Sequence, residues 1–387
     1  MSYKPLFSRA LGADPKRLHF AAHSHHLWPD ASFDGQVRAW AEANRHADRK
    51  WDLIFGEVVP EAQAHVAREL NLPSPDTVVF APNTHDLLVR IVSAVEKKPV
   101  RILSTDGEFH SFRRQAARWE EAGEAVVTRV PIAPFDTFPA RFLEAARAGG
   151  HDLILVSQVF FRTGWMIETL DELAALADPD GPWVVVDGYH GFMAAPTDLS
   201  AVAERVFYVT GGYKYAMSGE GAGILHAPPG FGPRPVVTGW FAEFGDLQGP
   251  PGGVGYTVDA GRFWGATFDS TPLYRFNAVR RMLDQEGLTT ADVAAHARTL
   301  QVQFAKAVAA GRCGRLKEAG LLNPVQGDGP RARFLAFRHK DAQAWKARLQ
   351  DVNVITDVRD DVLRFGFGLY QDENDVERLI EVCRRVL

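Results

Sequence analysis

The stretch that decides the fold runs from Val184 to Lys214 and reads VVVDGYHGFMAAPTDLSAVAERVFYVTGGYK. It contains two short apolar runs, and polar residues follow each of them. Asp187 comes directly after the first run, and the second run, Val206 to Val209, leads through Thr-Gly-Gly-Tyr to Lys214. Short continuous apolar runs are typical of strands that are buried on both faces. Ligands bind at the carboxyl ends of such strands in parallel sheets, so we expect Asp187 and Lys214 to meet at one edge.

An aspartate and a lysine at this edge fit the chemistry of one cofactor. A lysine amine forms a Schiff base with a carbonyl, and a buried carboxylate pairs with a protonated pyridine nitrogen; pyridoxal 5'-phosphate needs both. The glycines before Tyr213 let the backbone approach a ring or a phosphate closely. Taken singly, an aspartate such as Asp187 at a strand end is more often a helix cap, and a lysine such as Lys214 is more often exposed to solvent. Taken together with the motifs below, they predict a pyridoxal phosphate site.

The composition bounds the class of protein. A chain of 387 residues with 46% hydrophobic and 24% charged residues predicts two or three globular domains. The net charge of −5 gives no sign of a nucleic-acid or membrane partner. No run approaches the ~18 apolar residues of a membrane span. The first residues show no apolar signal core, so we expect a cytoplasmic protein. The two cysteines, Cys313 and Cys383, predict neither a disulfide framework nor a zinc site.

Strands and helices alternate from about residue 77 to residue 226. This alternation predicts the α/β class, with a mainly parallel sheet covered by helices on both faces. Phe109 follows the strand expected at 101–104, and Ser157 ends the strand expected at 152–157. With Asp187 and Lys214, four strand ends would share one edge and outline a site, although Phe109 also fits a core position.

Three other stretches carry chemistry or mark a boundary. Asn83 and Thr84 open an apolar helix, where such a pair either caps the helix or binds phosphate. His23, His25 and His26 lie in one loop. No carboxylate or cysteine stands near them at the spacing of metal ligands, so a loop that contacts the substrate is at least as well supported as a metal site. We predict no metal. Residues 228–272 are rich in Pro and Gly and predict long loops. We expect three parts: an N-terminal segment (1–30), a cofactor-binding large domain (31–273) and a small C-terminal α+β domain (274–387).

Nearly the whole chain resembles the fold-type I pyridoxal-phosphate enzymes of the class V aminotransferase group, and within it most closely the kynureninases. The motifs that carry the resemblance are Asp187-Gly188-Tyr189-His190, Tyr213-Lys214, Arg234-Pro235 with Gly239-Trp240-Phe241, Ser270-Thr271-Pro272, and Arg364 with Leu369-Tyr370. The Asp-x-x-His motif and the Trp-Phe pair after Arg-Pro are the more specific parts. The resemblance implies a large domain with a mainly parallel seven-stranded sheet and a small C-terminal domain.

The resemblance also implies a role for individual residues. Lys214 would hold the cofactor and move the Cα proton, Asp187 would pair with the pyridine nitrogen, and Tyr213 would relay protons. The other cofactor contacts would be Asn83, Thr84, Phe109 stacked on the ring, Ser157 and His190, with Trp240 and Thr271 reaching across from the partner subunit of a homodimer. The substrate contacts would be Arg364, forked onto the α-carboxylate, with His25, His26 and His46 around the rest of the molecule.

Three positions depart from the family pattern, and the first of them is a loop that would face the substrate. The family's Gly-Asn-Ser-Leu-Gly-Leu-x-Pro segment is Ala-His-Ser-His-His-Leu-Trp-Pro at residues 22–29. Thr271 stands where kynureninases usually have Asn, and Arg162 stands where an aromatic residue is usual. These changes leave the cofactor residues intact.

The function that the resemblance implies is hydrolysis of the Cβ–Cγ bond of L-kynurenine, or of a related γ-keto amino acid, to an aryl acid and alanine, a step of tryptophan catabolism. An aminotransferase or a lyase acting on another amino acid is the alternative, and a catalytically silent binding module is the third. Retention of Lys214, Asp187 and Arg364 together argues against the silent module. A cysteine desulfurase is disfavoured, because it needs a reactive loop cysteine.

Overall fold

The computed structural model describes residues 2–246, 253–325, 327 and 329–387, so residues 247–252 of the Pro/Gly-rich stretch lie outside the described residues. The strands are β1 (Leu18–His19), β2 (Val78–Ala81), β3 (Val100–Thr105), β4 (Ala125–Val130), β5 (Leu153–Ser157), β6 (Trp183–Asp187), β7 (Val206–Gly211), β8 (Gly223–His226), β9 (Gly320–Leu321), β10 (Phe334–Arg338), β11 (Val354–Ile355), β12 (Asp357–Arg359) and β13 (Val362–Gly366). The α-helices are α1 (Ser8–Gly12), α2 (Asp30–His46), α3 (Lys50–Leu53), α4 (Val59–Leu70), α5 (Thr84–Ser93), α6 (His110–Glu121), α7 (Phe138–Arg147), α8 (Leu170–Ala174), α9 (Thr271–Gln285), α10 (Thr290–Ala309), α11 (Ala342–Asp351) and α12 (Glu373–Val386).

The large sheet has seven strands in the order β2-β8-β7-β6-β5-β3-β4. Neighbouring strands are parallel except at β8, which runs antiparallel to both β2 and β7. The prediction of a mainly parallel seven-stranded sheet is therefore confirmed. In the register of the sheet, Ser157 lies beside Asp187, and Asp187 lies beside Val209. The carboxyl ends of β5, β6 and β7 are thus neighbours, as the site argument requires.

The apolar run in β6 explains why this strand lies in the middle of the sheet. Val184, Val185 and Val186 are all fully buried. Successive residues of a strand point to opposite faces, so both faces of β6 are covered. Asp187, the last residue of β6, is therefore a polar side chain that directly follows three fully buried valines.

The C-terminal part forms a second, antiparallel sheet in the order β12-β13-β10-β9. Its apolar residues pack in a separate cluster around the fully buried Trp345, and this cluster includes Leu18 and Phe20 of the N-terminal segment. Residues 354–359 form two short strands rather than one, because β11 pairs with β1 while β12 pairs with β13. Helix α9 packs its apolar side chains into the core of the large sheet. The domain boundaries stay a prediction.

No helix in the described part of the chain is long and apolar enough to cross a membrane. Cys313 and Cys383 are both fully buried and unbonded. Burial raises the pKa of the Cys313 thiol to about 12 and holds the pKa of the Cys383 thiol well above its usual value. Neither cysteine has the exposed, low-pKa surroundings of a reactive thiol.

Candidate active site

A cavity of about 260 Å³ opens at the carboxyl ends of β5, β6 and β7. It is lined by both polar and aromatic side chains, and its walls come from stretches that are far apart in the sequence. The predicted site residues among its walls are Asn83, Thr84, Phe109, Ser157, Asp187, His190, Tyr213 and Lys214. These residues, which are distant in the sequence, therefore line one cavity at the carboxyl edge of the sheet.

Lys214 is the basic group of the cavity. Its side chain is only 5% exposed, and its Nζ lies 2.8 Å from His190 Nε2. Burial lowers the pKa of the Lys214 amine from 10.5 to about 7, and the charge of Asp187 opposes this shift only in part. More of the amine is therefore uncharged at neutral pH than in an exposed lysine, and the uncharged amine is the form that attacks a carbonyl or takes a proton.

Asp187 provides the carboxylate opposite this amine. Its Oδ1 accepts a hydrogen bond of 2.9 Å from the backbone N–H of Tyr189, which fixes the side chain at the end of β6. Burial raises the pKa of Asp187, while that hydrogen bond and the positive charge of Lys214 oppose the shift. A cationic partner placed next to Asp187 would keep the carboxyl ionised.

His190 is buried and uncharged. Burial holds the pKa of its imidazole well below 6.5, and the nearby charges of Lys214 and Arg364 lower it further. Since Nε2 accepts from the Lys214 amine, the ring proton belongs on Nδ1, which is buried and has no protein partner. A buried donor without a partner costs stability. A bound group that accepts a hydrogen bond from Nδ1 would remove this cost.

Sequence reasoning missed Glu108, which lies directly before Phe109 and is fully buried. Its carboxyl accepts hydrogen bonds from Ser157 Oγ at 2.5 Å, from Ser157 N at 3.2 Å and from Thr105 Oγ1 at 2.7 Å. Burial raises the pKa of Glu108 to about 7, and the negative charge of Asp187 adds to the shift. Glu108 thus fixes Ser157 at the cavity wall. In the sequence, Asp-Gly-Glu reads only as a turn after a strand.

Helix α5 begins at the cavity. Asn83 Oδ1 accepts a hydrogen bond of 2.9 Å from Asp86 N, so Asn83 caps the helix. Thr84 Oγ1 donates to the carbonyl of Thr210 at 2.8 Å and ties the helix to β7. Gly223 on β8 has no room for a side chain, because a Cβ there would lie 2.4 Å from the Asn83 carbonyl carbon. The cap holds the first turn of α5 at the cavity wall, where its free N–H groups suit an anion.

Arg364 comes from β13, and its side chain is almost fully buried. It donates to the carbonyl of Phe161, a residue of the cavity wall, and to the carboxylate of Asp357. Its Nε has no partner. Asp357 also accepts from Arg359 at 3.0 Å, so two guanidinium groups share one carboxylate and leave net positive charge beside the cavity. The sequence pattern contained no signal for the role of Asp357.

The histidines of the 22–29 loop and helix α2 separate in the structure. His25 stacks on Tyr213, with ring centroids 5.0 Å apart, and its side chain is 65% exposed. His26 does not reach the cavity, because its ring packs among Phe7, Tyr215 and Tyr370. His46 ends α2 and is not among the cavity walls either.

His23, which carried no assignment, is fully buried beside Arg364 and Asp357, and both of its ring nitrogens lack a hydrogen-bond partner. Its Nε2 is 3.7 Å from Asp357 Oδ2. Arg162 donates to Asp361 at 2.7 Å and faces Asp360 at 3.6 Å. Within the described residues, no group of three or more His, Cys, Asp or Glu side chains is arranged to hold a metal ion.

Trp240 and Thr271 lie outside this cavity. Trp240 Nε1 donates to Thr267 Oγ1 at 3.2 Å, and the indole is 42% exposed. Thr271 lines a separate small cavity with Trp51 and Phe268. This placement leaves open the expectation that both residues act in the site of a partner subunit, and their roles stay a prediction.

Two family comparisons match this chain. Residues 41–231 match the family described as aminotransferase class V, and residues 293–383 match the kynureninase C-terminal domain. The first range holds Asp187 and Lys214, and the second holds Arg364. A comparison with curated protein sequences found no match.

Solved structures show which fold the chain shares. A cystine C-S lyase, solved with its product cysteine persulfide, has a TM-score of 0.80 at 16% identity and covers 98% of this chain and 100% of its own. A lysine variant of a C-S lyase of the same name, with glycine covalently linked to its pyridoxal phosphate cofactor, has the same score and identity over 100% of both chains. A cysteine desulfurase from Thermococcus onnurineus NA1 has a TM-score of 0.79 at 17% identity over 100% of this chain and 98% of its own. The fold is that of the fold-type I pyridoxal-phosphate enzymes.

The cavity fits that cofactor. Its walls combine a buried lysine, a buried carboxylate, an aromatic face and a capped helix N-terminus, and these groups match an aldehyde, a pyridine nitrogen, a flat ring and a phosphate. The unpartnered Nδ1 of His190 adds a donor that a bound group would satisfy. The cofactor of this chain is pyridoxal 5'-phosphate.

Proposed function

Because the chain belongs to the class V aminotransferase group of pyridoxal-phosphate enzymes, we propose that it is a kynureninase-like hydrolase. Its reaction would cleave the Cβ–Cγ bond of L-kynurenine, or of a related γ-keto amino acid, to an aryl acid and alanine. The observation that carries the proposal is the match of residues 293–383 to the kynureninase C-terminal domain, because this range contributes Arg364, whose positive charge helps to lower the pKa of Lys214.

The cofactor residues follow from the cavity. When bound, pyridoxal phosphate supplies a carbonyl that joins to the substrate amine and a ring that withdraws electrons from Cα. Lys214 would hold the cofactor, and Asp187 would keep its ring nitrogen protonated. Asn83 and Thr84 would face the phosphate at the start of α5, while Ser157, fixed by Glu108, and His190 would contact the ring substituents.

Four side chains would bind the substrate or transfer its protons. Arg364 has an unpartnered Nε and would bind the α-carboxylate, which orients the Cα–H bond. Lys214 Nζ, with a pKa near 7, would take the Cα proton and return it later in the cycle. Tyr213 borders the same cavity, and its hydroxyl would relay a proton while water adds to the γ-carbonyl. His25, which stacks on Tyr213, would meet the aryl end of the substrate.

Two other functions on the same scaffold compete with this proposal. A class V aminotransferase would use the same lysine, aspartate and arginine. The match of residues 41–231 to the aminotransferase class V family supports amino transfer as well as it supports hydrolysis. Cysteine desulfuration has less support, since both Cys313 and Cys383 are buried with raised thiol pKa values. The C-S lyases and desulfurases share the fold with this chain, and a likeness at 16–17% identity supports nothing finer.

One assay separates these functions. The purified enzyme with pyridoxal phosphate is incubated with L-kynurenine or its 3-hydroxy analogue, and the products are followed by fluorescence and amino-acid analysis. We expect anthranilate, or its hydroxylated analogue, together with alanine. If an amino group is transferred to pyruvate or 2-oxoglutarate and no aryl acid forms, the hydrolase proposal is wrong and the enzyme is an aminotransferase. Parallel incubation with L-cysteine and L-cystine tests the C-S lyase reaction.

The proposal includes the assembly and location of the enzyme. The partner's Trp240 and the partner's Thr271 would complete each site, so the working form would be a homodimer. A cytoplasmic location, expected from the sequence, belongs to the same proposal.

A further inference from the structure

His23 is a buried polar residue that the proposed reaction does not use, and it stands where the family pattern has Asn. Its side chain has no exposed surface, and among the described residues neither of its ring nitrogens has a hydrogen-bond partner. Burial lowers the pKa of the imidazole to about 3, so the ring is neutral at neutral pH. A buried polar group without a partner costs stability, so we looked for a function that offsets this cost.

The C-terminal sheet holds the imidazole in place. The ring of His23 stacks on Phe334 of β10, with ring centroids 4.7 Å apart and an angle of 26° between the planes. Phe334 lies opposite Gly366 of β13, and a Cβ at Gly366 would be only 2.2 Å from His23 Nδ1. A side chain at residue 366 would displace the ring, so the glycine leaves the space that the imidazole occupies.

The imidazole and the guanidinium of Arg364 meet at one carboxylate oxygen. Arg364 Cζ is 5.6 Å from the centroid of Phe334, so both groups lie near the same ring. Arg364 donates to Asp357 Oδ2, and His23 Nε2 is 3.7 Å from that oxygen. The negative charge of Asp357 favours the tautomer of His23 that carries its proton on Nε2, because a bare Nε2 would face the carboxylate with a lone pair.

These contacts decide which nitrogen of Arg364 stays free. Arg359 donates to the other oxygen of Asp357, Oδ1, at 3.0 Å, so positive groups face both oxygens of the carboxylate and fix its orientation. One terminal nitrogen of Arg364 donates to Asp357 and the other to the carbonyl of Phe161. Its Nε has no partner in the part of the chain that the structure describes.

We propose that His23 is a positioning residue for the substrate carboxylate, because it holds Asp357 and the Arg364 guanidinium in the orientation that leaves Arg364 Nε free for the substrate. The inference rests on the part of the proposed function that assigns the α-carboxylate to Arg364, and it applies to hydrolysis and to amino transfer alike. Since His23 acts through Arg364, its loss should weaken binding of a carboxylate and leave binding of the rest of the molecule unchanged.

The test compares two probes that differ only at the carboxylate. The acid probe, 4-oxo-4-phenylbutanoate, has a γ-ketone but no amine, so it cannot bond to the cofactor, and the amide probe, 4-oxo-4-phenylbutanamide, is neutral. The Kd of each probe for the enzyme loaded with pyridoxal phosphate is measured by calorimetry. His23→Leu should raise the Kd of the acid about 3- to 10-fold and change that of the amide less than about 2-fold. His23→Gln, which keeps an N–H donor near the position of Nε2, should recover most of the affinity.

His26→Leu is the matched control, because His26 is a buried histidine of the same loop that does not line the cavity. It loses the hydrogen bond of 2.6 Å from His26 Nδ1 to the Leu27 carbonyl, so it should melt at a lower temperature than His23→Leu and still bind both probes as the unchanged protein does. A loss of affinity for the acid in His26→Leu equal to that in His23→Leu would overturn the inference, and so would an equal loss for both probes in His23→Leu.

Arg364→Leu separates failure of this inference from failure of the proposed function. It should abolish the preference for the acid over the amide. If the unchanged protein has no such preference, or if Arg364→Leu keeps it, the assignment of the carboxylate to Arg364 is wrong and the role of His23 falls with it. If Arg364→Leu loses the preference and His23→Leu keeps it, only the role of His23 is wrong. If His23→Leu does not fold, a crystal structure of the unchanged protein with the acid decides, and a His23 Nε2 more than about 4 Å from the Asp357 carboxylate contradicts the proposal.

Discussion

At the residue scale, the reactivity of Lys214 follows from its burial. An exposed lysine amine is almost fully protonated at neutral pH, whereas burial brings the pKa of Lys214 to about 7. The uncharged amine is the form that attacks an aldehyde. The rate at which the apoprotein captures pyridoxal phosphate should therefore rise as the pH increases towards about 7, and level off above it.

The measurement is borohydride reduction at several pH values, followed by peptide mapping. The label should appear on the peptide that contains Lys214, and Lys214→Arg, which keeps a positive charge but cannot form the bond, should remove it. Asp187→Asn should move the midpoint to lower pH, because the carboxylate favours the charged amine. Labelling of another lysine in the unchanged protein, such as the exposed Lys97, would refute the assignment.

The sequence identified residues whose chemistry can be read locally and missed residues whose role depends on a distant partner. Asp187 and Lys214 follow apolar runs, so their meeting could be predicted from strand geometry. Glu108 and Asp357 are read from sequence as ordinary surface acids. They matter because Glu108 meets Ser157 across the sheet and Asp357 meets Arg364 on the neighbouring strand, and no local pattern records those contacts.

At the element scale, the start of α5 connects helix stability to the cofactor. Asn83→Ala removes the oxygen that accepts from Asp86 N and should cost about 1 kcal/mol of the free energy of unfolding. Because the same turn borders the cavity, it should also weaken binding of pyridoxal phosphate. Thr289→Ala, which breaks the capping box of α10 at a residue that does not line the cavity, is the matched control. It should cost about the same stability and leave the Kd for the cofactor unchanged.

Chemical denaturation gives the free energies, and cofactor titration of the apoprotein gives the Kd. A loss of cofactor affinity in Thr289→Ala equal to that in Asn83→Ala would mean that general destabilisation causes the effect. Unchanged affinity in Asn83→Ala would leave that residue a plain helix cap, the alternative that the sequence had left open.

The elements themselves were predicted where a pattern is long and continuous. The seven strands of the large sheet follow from alternation and apolar runs, which depend on neighbouring residues alone. The sequence does not divide β11 from β12. Thr356, which lies between them, is as compatible with a strand as its neighbours, so the sequence predicts one continuous strand. What divides them is pairing with β1 and β13, and the first of these contacts joins opposite ends of the chain.

At the scale of the whole molecule, the site depends on parts that lie far apart in the sequence. The large sheet contributes Asp187 and Lys214, the C-terminal sheet contributes Arg364, and the N-terminal segment brings His23 against Arg364 and Asp357. Burial of Leu18 and Phe20 in the C-terminal core fixes that segment. Movement of the C-terminal sheet relative to the large sheet would therefore change the distance from the carboxylate-binding arginine to the lysine.

The homodimer is the last prediction, and helix α2 provides its test. Phe33, Val37 and Trp40 are 46%, 47% and 70% exposed at a spacing that places them on one face of the helix. An exposed apolar stripe of this kind favours burial against another chain, and a two-fold dimer is the commonest assembly. We expect light scattering to give twice the chain mass of 42.8 kDa. Trp40→Glu should shift the mass towards the monomer and lower activity together, whereas Val126→Glu, at an exposed valine of β4, should change neither. A fully active monomer of the unchanged protein would contradict the shared site.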